Sequence, residues 1–266
     1  MLSSSSPGHY LRPLWTCRRR WYPDRMPHVH RFYIPEMPDA TTEWPLPSEE
    51  AHHALHVVRV RAGDPLVVFD GRGREWPGVV GEVARREVTV RVGEARLVPP
   101  PRTRLIVVQA WLNRDKSVET LIRRCTELGV SHFLFFRSGR SDRPPKPSDK
   151  WTRLAAETCK QCGRAWLPTF DVADDLDAAL ALAEVPVLVA AMDCEPIPLS
   201  EALVPCAGAC SILVGPEGDF ADAELRRALD SGAMPISLGH ITYRSEVAAC
   251  TLAALVLYER GELGPR

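Results

Sequence analysis

Apolar and polar positions alternate with a period near two from His28 to about Val98, in the short runs RFYI, DPLVVFDG, EWPGVVGEV and EVTVRVGE, separated by glycines and charged turns. That spacing predicts a small β-barrel of close-set strands. Its one helical piece, SEEAHHALHVVRV, puts His52, His53 and His56 at helical spacing. No cysteine or carboxylate is obviously paired with them, so surface or capping roles are expected in place of a metal. A proline-stiffened stretch, residues 99–104 within LVPPPRTR, then marks a linker and a domain boundary.

From residue 105 to 266 the pattern changes. Runs that are apolar throughout (LIVVQA, SHFLFF, PVLVAAM, SILVG, PISLG) alternate with helical patterns (KSVETLIRRCTELG, SDKWTRLAAETCKQCGRA, DLDAALALA, DAELRRALDSG, SEVAACTLAALVLYERG). Strands without a polar face, spaced by helices, predict an α/β domain whose parallel sheet is covered on both sides. Such sheets bind ligands beyond the carboxyl ends of their strands. Residues 1–27 are rich in Ser and Arg and carry no core pattern. They are expected to be a disordered extension from a misassigned start, with a transit peptide as the alternative.

Two glycine-bearing strand ends stand out, Gly215-Pro216-Glu217-Gly218 after SILV and Leu238-Gly239 after PIS. A phosphate cradle wants exposed amides, a lysine and a helix start free of anions. Here the loop holds Glu217 and is followed by Asp219, Asp222 and Glu224, and no GxGxxG or GxxxxGK[ST] occurs. Asp222 and Glu224 read as ordinary helix capping. A ligand with hydroxyl donors or positive charge suits the loop better than a polyphosphate, and S-adenosylmethionine is one. A nucleotide-dependent oxidoreductase is disfavoured, since its fingerprint is missing.

The formal net charge of -1 hides a division. Residues 102–164 hold 14 Lys and Arg against 6 Asp and Glu, whereas residues 165–266 hold 5 against 16. The basic middle, with Arg114, Lys116, Arg123, Arg124, Arg137, Arg140, Arg143, Lys146 and Lys150, is read either as a surface for nucleic acid or as a solvated charged face. Eight cysteines without a secretory signal predict reduced thiols in a cytoplasmic protein. The single CxxC, Cys159 to Cys162, lies in a helical pattern with no second pair, so helix packing is expected and no metal site is assigned. No run is long enough to cross a membrane.

LVGPEGDF, followed by SLGHITYRSEVAA, resembles the paired signature of the RsmE family, 16S rRNA uridine-N3 methyltransferases of the SPOUT superfamily. RFYIP and HHALHVVRVRAGDPLVVFDGRG resemble the family's PUA-like barrel, DKSVETLIRRCTELGV its lysine-to-ELG helix, SGRS its basic loop, and ETCKQCGRAWLP a further motif. The likeness covers about residues 30–260. It implies a PUA-like RNA-binding β-barrel over 28–98, then a SPOUT-type parallel sheet with a C-terminal trefoil knot, a homodimer through the knot domain, and S-adenosylmethionine as cofactor. The implied substrate is 16S rRNA of the small ribosomal subunit. By position, the cofactor residues implied are Ala190, Ala191, Val214, Gly215, Glu217, Gly218, Leu238, Gly239, Ser245, Val247 and Ala248. Arg244 and Glu246 are implied as catalytic, Arg244 to stabilise a uracil anion and Glu246, Glu217 or His240 to take its N3 proton. Arg31, Arg59, Arg140 and Arg164 are the candidate phosphate contacts, with ion pairing to the acidic third as their structural alternative.

The chain departs from the family pattern at Asp219 (usually Gly), His240-Ile241 (Pro-Arg), Tyr243 (Leu) and Val247 (Thr). The missing arginine removes a possible phosphate or uracil contact, and Asp219 adds a charge unfavourable to RNA. A non-catalytic RNA-binding or ribosome-assembly factor that keeps the knot is therefore the competing expectation.

Overall fold

The period-two region and the apolar-run region each build their own six-stranded sheet. A computed structural model describes residues 29–36, 43–192 and 194–264; the segment 1–27 lies outside them. Strands β1 (His30–Tyr33), β2 (Glu43–Pro45), β3 (Pro65–Phe69), β4 (Arg74–Val83), β5 (Val88–Val92) and β6 (Arg96–Leu97) form the first sheet, in the order β1-β3-β4-β5-β2 with β6 beside β4. The β1–β3 pair is parallel and the others antiparallel. Alternate residues along the strands (Phe32, Trp44, Leu66, Val68, Val80, Val88, Val90) enter one core with Ala51 and Ala54, as a sheet with one buried face requires. Ala51 lies on α1 (Ser48–His53), which runs into a π turn over Ala54–Val58 and stops at Arg59, whose φ is 61°. The His52 and His56 rings meet there at a tilt of 46°, with centroids 4.5 Å apart.

In the second region β7 (Arg104–Ala110), β8 (His132–Phe136), β9 (Thr169–Ala173), β10 (Val187–Ala190), β11 (Ala209–Val214) and β12 (Met234–Ile236) are all parallel, in the order β12-β10-β11-β7-β8-β9. Odd and even positions of one strand serve opposite cores. Leu105 and Val107 face α2 (Asp115–Leu128), α3 (Asp149–Cys162) and α7 (Ser245–Glu259), while Ile106 and Val108 face α4 (Leu176–Leu182) and α6 (Asp222–Asp230). A one-turn α5 (Leu199–Ala202) closes the first of these cores.

Local chemistry sets the helix ends. Ser148 accepts the Lys150 amide at the start of α3, and Asp175 accepts that of Ala178 at the start of α4. Gly129 and Gly163, both at positive φ, end α2 and α3. Cys159 of the CxxC is buried against α3's core face, whereas Cys162 is exposed. Their mutual hydrogen bond pushes the first thiol up and draws the second down to about 6.

The end of α3 holds the first sheet. Lys160 pairs with Glu50 at 2.8 Å, Arg31 donates to the Arg164 carbonyl at 3.1 Å, and the Trp166 indole donates to Val98 O at 3.0 Å. Burial lifts the Glu50 carboxyl above its ordinary value despite the lysine. Among the described residues no helix is long and apolar enough to cross a membrane.

Candidate active site

Strand β10 lies between β11 and β12, so three strand ends open on one cleft, with Ala190–Ala191 as its middle wall between Val214–Gly215 and Leu238–Gly239. The two glycine loops are therefore not neighbours, because β10 separates β11 from β12. Glu217, Ser245 and Ala248 also line the cleft, and so do Ile241, Thr242 and Tyr243. Two residues expected there do not line it: the Gly218 carbonyl accepts from Arg140 at 2.6 Å, and Val247 sits on the exposed side of α7.

The glycines have separate reasons. A Cβ on Gly215 would come within 3.1 Å of Asp219 Oδ1 and 3.2 Å of the Phe220 amide, and Gly239 takes a φ of 98° that L side chains rarely adopt. Beneath the loop, buried Gln109 holds the floor together. Its Nε2 lies 3.0 Å from Gly215 O and 2.8 Å from Ser245 Oγ, and Ser245 Oγ in turn donates to Gly215 O. Gln109 escaped the sequence reading, though a single polar residue in LIVVQA was the available signal, because a buried amide demands partners.

A second hollow adjoins the first, sharing Glu217, Thr242, Tyr243 and Ser245 with it and adding Asn113, Arg114, Ser117, Arg244 and Glu246. Arg244 is the N-cap residue of α7, and its exposed guanidinium has no partner among the described residues. Glu246, 8% exposed, accepts from Ser117 Oγ at 3.2 Å through Oε1 only. Both oxygens of Glu217 instead face the Asn113 amide, at 2.9 and 3.2 Å. His240 is exposed and lines neither hollow.

Among the described residues, basic side chains keep away from the cleft and frame the hollow beside it through Arg114 and Arg244. Glu224, on α6, accepts the amides of Ala221 and Gly139 at 3.1 and 2.8 Å and so ties the basic loop after β8 to the glycine loop. Two of the four arginines expected to grip phosphate are committed inside the protein. Arg31 pairs with Glu75 at 2.6 Å over the Phe69 ring, and Arg164, its basicity lowered by burial, donates to the carbonyls of Thr126 and Val130 at 2.8 and 2.9 Å. Arg59 and Arg140 remain exposed. Among the described residues no group of three or more His, Cys, Asp or Glu is placed to hold a metal.

An RNA methyltransferase domain family matches residues 99–257, and an RNA methyltransferase PUA domain family matches residues 46–93. Ribosomal RNA small subunit methyltransferase E of Mycobacterium tuberculosis is 31% identical over 238 residues, covering 85% of this chain and 90% of that protein. Among solved structures, a probable rRNA-methyltransferase from Porphyromonas gingivalis superposes with a TM-score of 0.76 at 28% identity, covering 88% of this chain and 99% of the other. The fold is also that of ribosomal RNA small subunit methyltransferase E from Neisseria gonorrhoeae bound to S-adenosyl methionine, with a TM-score of 0.75 at 22% identity over 87% of this chain and 98% of that one.

Proposed function

The chain belongs to the RsmE family of RNA methyltransferases, and from that premise we propose that it transfers a methyl group from S-adenosylmethionine to N3 of a uridine in 16S rRNA of the small ribosomal subunit. The observation that carries this reading is the pair of joined hollows, one narrow and, among the described residues, free of cationic side chains, the next bearing Arg244 and Glu246.

The first hollow fits the cofactor chemically. Ala190, Ala191, Val214, Leu238 and Ala248 offer apolar walls for an adenine ring, and among the described residues Glu217 and Asp219 are its carboxylates, suited to an ammonium or sulfonium and adverse to phosphate. Bound there, S-adenosylmethionine supplies an electrophilic methyl carbon on its sulfonium.

The protein's task is then to present a deprotonated N3. Methyl transfer forms the N3–C bond as the S–C bond breaks, and the N3 proton must leave to a base. Arg244, unpaired and exposed, donates to uracil O2 or O4 and stabilises the anion. Glu246 is the better acceptor of the proton, because its Oε2 has no partner among the described residues while both oxygens of Glu217 are engaged. The target base must be unstacked to enter, with backbone held by Arg59, Arg140 and the 28–98 barrel.

Two further assignments belong to this reading. The trefoil knot falls in the segment from β10 to α7, whose loops converge on the cleft. The homodimer forms through the side of α7 that bears Val247, Leu255 and Tyr258.

The departures from the family pattern leave both hollows open, which is compatible with catalysis. Asp219 keeps the left-handed backbone open to glycine, with φ 61°, and His240 and Ile241 stand exposed without blocking either hollow. Arg244→Ala tests the chemistry: transfer to 30S subunits should fall on the order of 100-fold while calorimetry finds cofactor affinity unchanged. Full activity in that variant would remove Arg244 from the mechanism.

A further inference from the structure

A third hollow, about 490 Å³, lies where the N-terminal ends of α2 and α3 meet the loop after β8. None of the residues implied above as cofactor, catalytic or phosphate contacts lines it, although Asp115, Val118 and Glu119 of the DKSVETLIRRCTELGV helix do. Its floor is apolar and aromatic, made by Trp111, Trp151 and Leu154, with the two indoles 5.7 Å apart at their centroids. Its rim carries Arg143, Lys146 and Lys150 together with Asp115 and Glu119, one more basic than acidic side chain. Arg143 is paired with Asp115 and Lys150 with Glu119, but Lys146 has no partner among the described residues. The Trp111 indole N–H is buried without an acceptor among the described residues, a state most buried donors avoid.

We propose that this hollow is a subsite for an unstacked nucleobase of the RNA strand, close to the target nucleotide. The proposal rests on the methyl-transfer reading of the neighbouring site. An aromatic floor takes the face of any base, and a free ammonium at the rim takes the adjoining phosphate. The unsatisfied indole N–H matches the carbonyl or ring-nitrogen acceptors of a base edge. Position agrees with chemistry: Trp111 is on this floor and Arg114 in the hollow of Arg244, three residues apart, at most about 11 Å of extended chain. One strand can therefore place a base in each hollow. The local charge favours the same occupant, since residues 102–164 carry 14 basic against 6 acidic side chains.

The experiment is ultraviolet cross-linking of the protein to 30S subunits that lack the methyl mark, with adducts mapped by mass spectrometry. Wild type is compared with Lys146→Glu and with Pro144→Trp, an exposed rim position whose new indole would fill the hollow. The expected result is nucleotide adducts on residues 143–154, at least fivefold weaker in both variants, with about a tenfold rise in KM for subunits and unchanged cofactor affinity. Adducts confined to other segments, adducts undiminished in both variants, or cross-links from this segment to a ribosomal protein alone would overturn the subsite. Wild-type adducts here without any methyl transfer would leave the subsite standing and sink the methylation reading instead.

Discussion

Asp219 holds a backbone conformation, φ 61°, that costs a residue with a Cβ roughly 1–2 kcal/mol. Its Oδ1 accepts the Phe220 amide at 2.7 Å, which offsets part of that cost and explains why aspartate replaces the family's glycine here. Asp219→Ala keeps the strain and loses the hydrogen bond, so urea melts should show a loss of about 1–2 kcal/mol. Asp219→Gly loses the bond but also the strain, and should stay within about 1 kcal/mol of wild type. An alanine variant as stable as wild type would refute this account of the loop. The glycine loop and Glu217 were legible in the sequence because glycine and acid at a strand end are chemically conspicuous. Gln109 was overlooked inside an apolar run, and the commitment of Arg31 and Arg164 to internal partners was illegible, since an arginine's partners come from residues distant in the chain.

Helix α7 is apolar around its circumference, and one side is taken up by α2 and the sheet through Ala249, Leu252, Ala253 and Val256. Val247, Leu255 and Tyr258 stay exposed on the other side, at 41%, 40% and 63%. A helix that is apolar on two sides but covered on only one is incomplete alone, which is the physical basis of the homodimer assignment. Sedimentation equilibrium should find a dimer for wild type and a monomer for Leu255→Asp; a monomeric wild type would contradict the assignment. The alternation of strands and helices was legible at this scale, because runs apolar on both faces occur in covered parallel sheets. Their order was not, for such strands carry no mark of which neighbour they take, so the place of β10 between β11 and β12 emerged only from the fold. The edge strand β9 alternates polar and apolar residues in TFDVA, so it is missing from the fully apolar runs of this region and leaves alternate positions open to solvent.

The whole molecule separates its tasks. Basic residues of the middle segment are partly consumed by internal pairs (Arg124 with Glu127, Lys160 with Glu50, Arg143 with Asp115), so the segment's charge count overstates the field offered to RNA. Of the basic residues left exposed without an ion pair, Arg114 and Lys146 with Arg244 of α7 line the two hollows beside the cofactor cleft and Arg140 lies on the loop after β8, whereas Lys116, Arg123, Arg137 and Arg153 line neither hollow. The first sheet is fixed at the C-terminal end of α3, about 20 Å of helix from the hollow at that helix's start. The most direct test is nucleoside mass spectrometry of 16S rRNA, after 30S subunits from cells lacking their own enzyme are incubated with this protein and S-adenosylmethionine. The account predicts 3-methyluridine at one position. Cofactor binding with no 3-methyluridine formed would contradict it.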